Sequence, residues 1–208
     1  AISGFIPVVS VYSSFLQRGY DQILHDVAMQ NLHVVICVDR AGVVGEDGET
    51  HQGIYDIAFL NHIPNISLLA PASFKELRQM LEYAITKHKA PIAIRYPRGS
   101  LQSDYKSSPF EYGKGDIVCE GSDITIVCAG PILANACTAV GILRKHGIYA
   151  ELINIRTIKP LDEELIIKSA LKTKKVVTIE DGALIGGMGS VISSLVLDKK
   201  LDATVFSI

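Results

Sequence analysis

No stretch of the 208-residue sequence runs eighteen apolar residues without interruption, and no block of like charge breaks it up. The first absence argues against a transmembrane helix. The second, with a formal net charge of −2, argues against nucleic acid as the main partner. Small anions stay open, because they need local positive groups and not a basic surface. The four cysteines, Cys37, Cys119, Cys128 and Cys137, lack the close spacing of a structural metal site. They read as small buried hydrophobes in a reducing compartment, and no metal ligand set is expected. Also missing are a Gly-x-Ser-x-Gly nucleophile elbow, a Walker phosphate loop and a His-Glu-x-x-His zinc motif. The dinucleotide-like string Gly187-Met-Gly189-Ser-Val-Ile192 has isoleucine at its third small position and too little chain beyond it for a ribose-binding acid. It therefore reads as packing or turn glycines. Without an initiator methionine, a signal-peptide pattern or a closing helix after the last strand, the chain is expected to be a piece of a longer one.

What is present is a chain 48% hydrophobic and 20% charged, able to bury a sizeable core. Strand-like runs at Pro7–Tyr12, His33–Val38, Ile66–Leu69 and Pro91–Tyr96 alternate with helical or polar segments, which predicts α/β architecture with mostly parallel sheets. Between the first two, Leu16, Tyr20, Ile23, Leu24, Val27 and Ala28 draw one apolar stripe along a helix that Ser13 or Ser14 can cap. A serine-rich linker is expected over residues 101–115, separating units at 1–100 and 116–208. The second unit reads as strands near Ile124–Cys128, Ala150–Ile155, Val176–Ile179 and Ala203–Ile208, with helices near Ile132–Lys145, Asp162–Lys172 and Ser190–Leu197.

In such sheets, ligands gather at the carboxyl ends of strands. Three polar features fall there. Tyr12 leads to Phe15 and Arg18, three residues apart at a helix start and able to share a face. Asp39, Arg40, Asp47 and His51 then sit among Gly42, Gly45, Gly48 and Gly53, which permit sharp turns and close ligand approach. Finally, Pro97 restrains the stem that carries Arg98, whose planar fork suits phosphate oxygens. Arg95, inside the strand, reads as a half-buried stem paired with a carboxylate. His25 beside Asp26 reads as a local cap or surface group, and Glu180-Asp181 before Gly182 as a turn.

Val11-Tyr-Ser-Ser-Phe-Leu-Gln-Arg-Gly-Tyr-Asp-Gln-Ile-Leu-His-Asp26, Asp39-Arg-Ala-Gly42, Asp47-Gly48, Thr50-His-Gln-Gly53 and Ile94-Arg-Tyr-Pro-Arg-Gly99 together resemble the 1-deoxy-D-xylulose-5-phosphate synthases. Asn154-Ile-Arg-Thr-Ile-Lys-Pro-Leu-Asp162 and Thr178-Ile-Glu-Asp-Gly182 extend the resemblance into the second unit. It implies a partial transketolase-like pyrimidine-binding domain at 1–100 and a transketolase C-terminal-like domain at 116–208. It also implies an enzyme of isoprene and thiamine biosynthesis that condenses pyruvate with D-glyceraldehyde 3-phosphate, releasing CO2, through a thiamine diphosphate enamine. By the same resemblance, Phe15 stacks on the aminopyrimidine and Arg18 supports the cofactor side. Tyr12, Arg40 and Arg98 receive the acceptor phosphate. Asp47 and His51 bind hydroxyl or carbonyl oxygens, with His51 also moving protons.

The activating glutamate and the domain that holds the diphosphate through Mg2+ have no counterpart here, so the chain alone is expected to be inactive. A homodimeric parent in the bacterial cytoplasm or plastid stroma is implied. The rivals are a transketolase or the β subunit of a 2-oxo acid dehydrogenase, which share the domain pair, and a non-catalytic interaction module. The Tyr12, Phe15, Arg18 cluster with Thr50-His-Gln-Gly53 favours the synthase over the first two.

Overall fold

Valine-rich segments favour extended chain because a branched side chain packs well on a pleated surface. Val8–Tyr12 (β1) and Val35–Asp39 (β2) pair in parallel, with Val8 opposite Val35 and Tyr12 opposite Asp39. The computed structural model describes residues 1–99, 105 and 107–208. Residues 101–104 and 106 of the expected linker lie outside the described residues.

The connection from β1 to β2 departs from the single helix expected. Ser13–Leu16 (α1) is one α-helical turn, Gln17–Gly19 tightens into a 3-10 turn, and Gln22–Ala28 widens into a π-helix. Gly19 interrupts the helix where glycine is least favourable. Beyond it, the buried pair Ile23 and Ala28 stands five residues apart, the spacing of a π turn. Neither serine caps α1. Tyr12 holds the cap position, and the Ser13 and Ser14 hydroxyls are buried with no hydrogen-bond partner among the described residues.

Asp56–Asn61 (α2), Ser67–Leu69 (β3), Phe74–Thr86 (α3) and Ile92–Arg95 (β4) complete the first half of the chain. At the start of α3 the Ser73 hydroxyl accepts the Glu76 N–H at 3.1 Å, while the Glu76 carboxylate accepts the Ala72 N–H at 2.8 Å. The first bond satisfies a donor that the first helical turn leaves free, and the second ties the residue before the cap to the helix.

The second half runs Asp116–Cys119 (β5), Ile124–Cys128 (β6), Leu133–Lys145 (α4), Ala150–Asn154 (β7), Thr157–Lys159 (β8), Glu163–Thr173 (α5), Lys175–Ile179 (β9), Met188–Asp198 (α6) and Thr204–Ser207 (β10). Two five-stranded sheets result, ordered β1-β2-β4-β3-β8 and β10-β9-β6-β7-β5. Both are parallel except for one antiparallel edge strand each, β8 and β5.

The strand β8 had no reading in the sequence. It carries chain from the second half back onto the first sheet beside β3. One buried cluster likewise joins Ile36, Val38 and Leu68 to Val127, Ile153 and Ile192. Each such side chain, fully buried, contributes roughly 1.5–3 kcal/mol, so the junction between the sheets is a packed core. The glycines of the dinucleotide-like string serve packing. A Cβ on Gly189 would stand 2.4 Å from Ser207 Oγ and 2.5 Å from Thr178 Oγ1. Among the described residues, no helix is long and apolar enough to cross a membrane.

Candidate functional site

Strand register decides what meets at the carboxyl edge of the first sheet. Tyr12 lies opposite Asp39, and Val38 opposite Arg95, so the chain leaves β1, β2 and β4 at adjacent points on one edge. Residues 12–15, 39–53 and 96–99 therefore share a single mouth.

Arg40 turns back over that mouth. Its backbone adopts φ +53°, uncommon for a residue with a Cβ, and its N–H donates to Asp39 Oδ1 at 2.9 Å. The guanidinium thus lies over the Tyr12 ring, 4.1 Å from its centroid. Tyr12 stacks on Phe15 at 5.6 Å with the rings 11° apart, and Phe15 meets the His51 ring edge-on at 5.1 Å. His51 Nδ1 lies 2.9 Å from Thr50 Oγ1.

Asp47 sits between the two arginines, one carboxylate oxygen accepting from Arg40 Nη1 and the other from Arg98 Nη1. The hydrogen bond from Arg40, reinforced by the positive charge of Arg40 and Arg98, holds the Asp47 carboxyl below its usual pKa. Arg98 also stands 3.6 Å from Glu46 and borders a cavity of about 240 Å³ lined by Val43, Val44, Gly45 and Glu46. On the other side of Phe15, an apolar groove of about 250 Å³ is lined by Val9, Val11, Leu16 and Ile23. A flat heteroaromatic ring fits such a wall. Among the described residues, no group of three or more His, Cys, Asp or Glu side chains is placed to hold a metal ion.

The loop that carries Asp47 and His51 is pinched at its base. Gly42 N–H donates to Gly53 O at 2.7 Å and Gly53 N–H to Gly42 O at 2.9 Å. Both positions need glycine. Gly42 has φ +86°, and a Cβ on Gly53 would stand 2.3 Å from the Arg40 carbonyl oxygen. Inside the loop, Gln52 braces the turn by donating to Val44 O and Gly48 O and accepting the Val44 N–H.

Below the loop, Arg95 is fully buried, not half-buried as the strand alternation implied. It pairs with the equally buried Asp56 through Nε at 2.8 Å and Nη2 at 3.3 Å, and donates to the Asp181 carbonyl at 3.1 Å. Glu180 and Asp181 form more than a turn. Glu180 accepts the Met188 and Gly189 N–H groups at the start of α6, at 2.8 and 2.9 Å, and its burial raises its pKa despite them. His25 pairs with Asp21 at 2.8 Å, four residues back.

The structure thus gathers Tyr12, Phe15, Arg40, Asp47, His51 and Arg98. Arg18 stands apart on the exposed 3-10 turn, with no side-chain hydrogen bond or ion pair among the described residues. No local pattern marks Asp56 and Gln52 as supports, because each is defined by partners distant in the chain or across a loop.

The fold and this edge define a class. The family model described as the transketolase pyrimidine-binding domain matches residues 1–103, and that of the transketolase C-terminal domain matches residues 113–208. A solved split-gene transketolase, described as an inactive β4 tetramer, superposes with a TM-score of 0.91 at 31% identity, covering 100% of this chain and 67% of that one. A transketolase of Pichia stipitis has the same fold, with a TM-score of 0.77 at 20% identity over 97% of this chain and 29% of its own. Within this class the chain belongs to the 1-deoxy-D-xylulose-5-phosphate synthase family. It is 47% identical to the synthase of Crocosphaera subtropica over 204 residues, which is 95% of this chain and 32% of that protein. With the synthase of Syntrophus aciditrophicus it shares 50% over 195 residues, 92% of this chain and 30% of the relative. The chain spans about a third of the length of the curated relatives it matches.

Proposed function

We propose that this chain forms the acceptor side of a thiamine-diphosphate enzyme that joins pyruvate to D-glyceraldehyde 3-phosphate, releasing CO2 and giving 1-deoxy-D-xylulose 5-phosphate. The observation that carries the reading is the gathering of two arginines, a histidine and an exposed aromatic face at one strand-end mouth. The names of the relatives support the choice of product.

Thiamine diphosphate, held through Mg2+, supplies an electron sink for decarboxylation when bound. Phe15 offers the aminopyrimidine a flat apolar face that excludes water, and Arg18 supports the cofactor side. Arg40 and Arg98 each keep free donors beyond the one that meets Asp47, since a guanidinium has five. Those donors, with the Tyr12 hydroxyl, take the phosphate of the acceptor. Asp47 aligns both arginines and accepts from a substrate hydroxyl. His51 gives a proton to the acceptor's carbonyl oxygen as it becomes a hydroxyl.

The working assembly is a homodimer in the bacterial cytoplasm or the plastid stroma, with residues 1–100 and 116–208 as its domains in this chain. The split-gene neighbour favours a variant of this arrangement, in which the rest of the site comes from a separately made chain.

Arg98→Ala tests the reading in a protein that carries the relatives' remaining segments. Loss of a charge-assisted contact should raise KM for glyceraldehyde 3-phosphate about 10–100-fold, with KM for pyruvate little changed. Steady-state kinetics with unphosphorylated D-glyceraldehyde is the control. An equal loss there would reject the phosphate assignment.

A further inference from the structure

The segment 181–183, at the end of β9 in the second sheet, grips both sides of the base of the loop that carries Asp47 and His51. On the entry side, Asp181 Oδ1 accepts the Val43 N–H at 3.0 Å. On the exit side, the Ala183 N–H donates to Ile54 O at 2.8 Å. Between these two contacts lies the Gly42–Gly53 pinch. A Cβ on Gly42 would stand 2.0 Å from Asp181 Oδ2, so the carboxylate fills the space that this glycine leaves open.

The Asp181 backbone is itself fixed from two directions. Arg95 Nη2 holds its carbonyl oxygen, and the preceding Glu180 is tied to the first turn of α6. The side chain therefore reaches the loop from a rigid base. Among the described residues, the loop's other side-chain attachments are internal, through Gln52, run to the arginines that Asp47 itself orders, or are the edge-on contact of His51 with Phe15.

We propose that Asp181 is a positioning residue for the acceptor site, through which the second sheet sets where Asp47 and His51 stand. Asp181 touches neither substrate nor cofactor. It accepts the first amide of the loop and blocks the loop base from sliding toward β9. This gives the transketolase C-terminal domain a direct part in acceptor recognition. Its kinetic consequence rests on the functional reading above, whereas its structural consequence does not.

Amide hydrogen exchange on the 208-residue chain tests the structural part without any substrate. In Asp181→Ala, the amides of residues 43–52 should exchange about tenfold faster, the effect of losing one charge-assisted hydrogen bond, while β2 and β9 hold their protection. Asp181→Asn keeps an acceptor oxygen and should restore the slow rates. If Asp181→Ala fails to fold, Asp181→Ser, too short to span to Val43, takes its place. Unchanged loop exchange overturns the proposal, as does equal acceleration of β2, β9 and the loop.

In the assembled enzyme, Asp181→Ala should raise KM for the phosphorylated acceptor about tenfold and leave KM for pyruvate unchanged, with Asp181→Asn near wild type. An unchanged acceptor KM refutes the positioning role. A wild-type enzyme that refuses the phosphorylated aldehyde instead overturns the functional reading, and leaves the exchange data to judge Asp181.

Discussion

Arg95 marks how far one residue can be understood from its neighbours in sequence. That it pairs with a carboxylate was legible, because an arginine inside an apolar strand needs compensation. Its complete burial was not legible, since its partners are Asp181, just beyond β9, and Asp56, 39 residues earlier. The same limit applies to the site. Tyr12, Arg40 and Arg98 could be placed at strand ends from the pattern alone, whereas Asp181, 138 residues from Val43, could not. The burial of Arg95 carries a measurable consequence. Arg95→Met leaves the Asp56 carboxylate unpaired in the core, and such losses cost about 3–5 kcal/mol. Urea denaturation of the chain should show this drop. The double variant Arg95→Met/Asp56→Leu should recover much of it, because no orphan charge remains. A double variant as unstable as the single one would mean that packing, and not charge, dominates the position.

Elements with one strong signal were read well. α5 begins with Asp162 accepting the Leu165 N–H at 3.2 Å, and the apolar strands β2, β6 and β7 lie where their residues predicted. Two kinds of element escaped. The β1–β2 connection kept its apolar stripe but not its helix type, because Gly19 and the five-residue spacing of Ile23 and Ala28 are compatible with more than one helical winding. β8 has only three residues, too few to show a period. The start of α3 did carry a signal, Ser73 followed three residues later by Glu76, which identifies a helix terminus once it is noticed.

The start of α6 gives a pH test. Burial raises the Glu180 pKa above its ordinary value of 4.5, against the opposing pull of the Gly189 and Met188 N–H groups. A carboxyl with a raised folded pKa holds its proton more tightly folded than unfolded. Its contribution to stability therefore falls as pH climbs from 4.5 through the raised value. Glu180→Gln keeps one acceptor oxygen and removes the titration. The stability of this variant relative to wild type should rise with pH across that window, measured by urea unfolding at a series of pH values. A flat difference would mean that Glu180 titrates alike in both states.

At the scale of the whole molecule, dividing the chain into two α/β units captured the two sheets but not the shared core or the strand β8 that crosses between them. A contact between segments 91 residues apart, Leu68 with Lys159, leaves no local trace in either segment. The shared core supports the mouth at the strand ends, yet that support does not complete a cofactor site. Binding at 1 μM requires about −8.2 kcal/mol. An aromatic stack on Phe15 supplies about 0.5–1.5 kcal/mol beyond area burial, and the groove beside it adds only the apolar surface of one small ring. The diphosphate carries most of the ligand's charge, and the described residues present no metal-binding group to receive it. Arg40 and Arg98, the cations at the mouth, are each tied to Asp47, and in the reading proposed above their free donors take the acceptor phosphate. Titration calorimetry of the 208-residue chain with thiamine diphosphate and Mg2+ should therefore detect no binding tighter than about 1 μM. Submicromolar affinity would show that the chain holds the diphosphate by itself, and the acceptor-side assignment of Arg40 and Arg98 would then have to give way to a cofactor-side one.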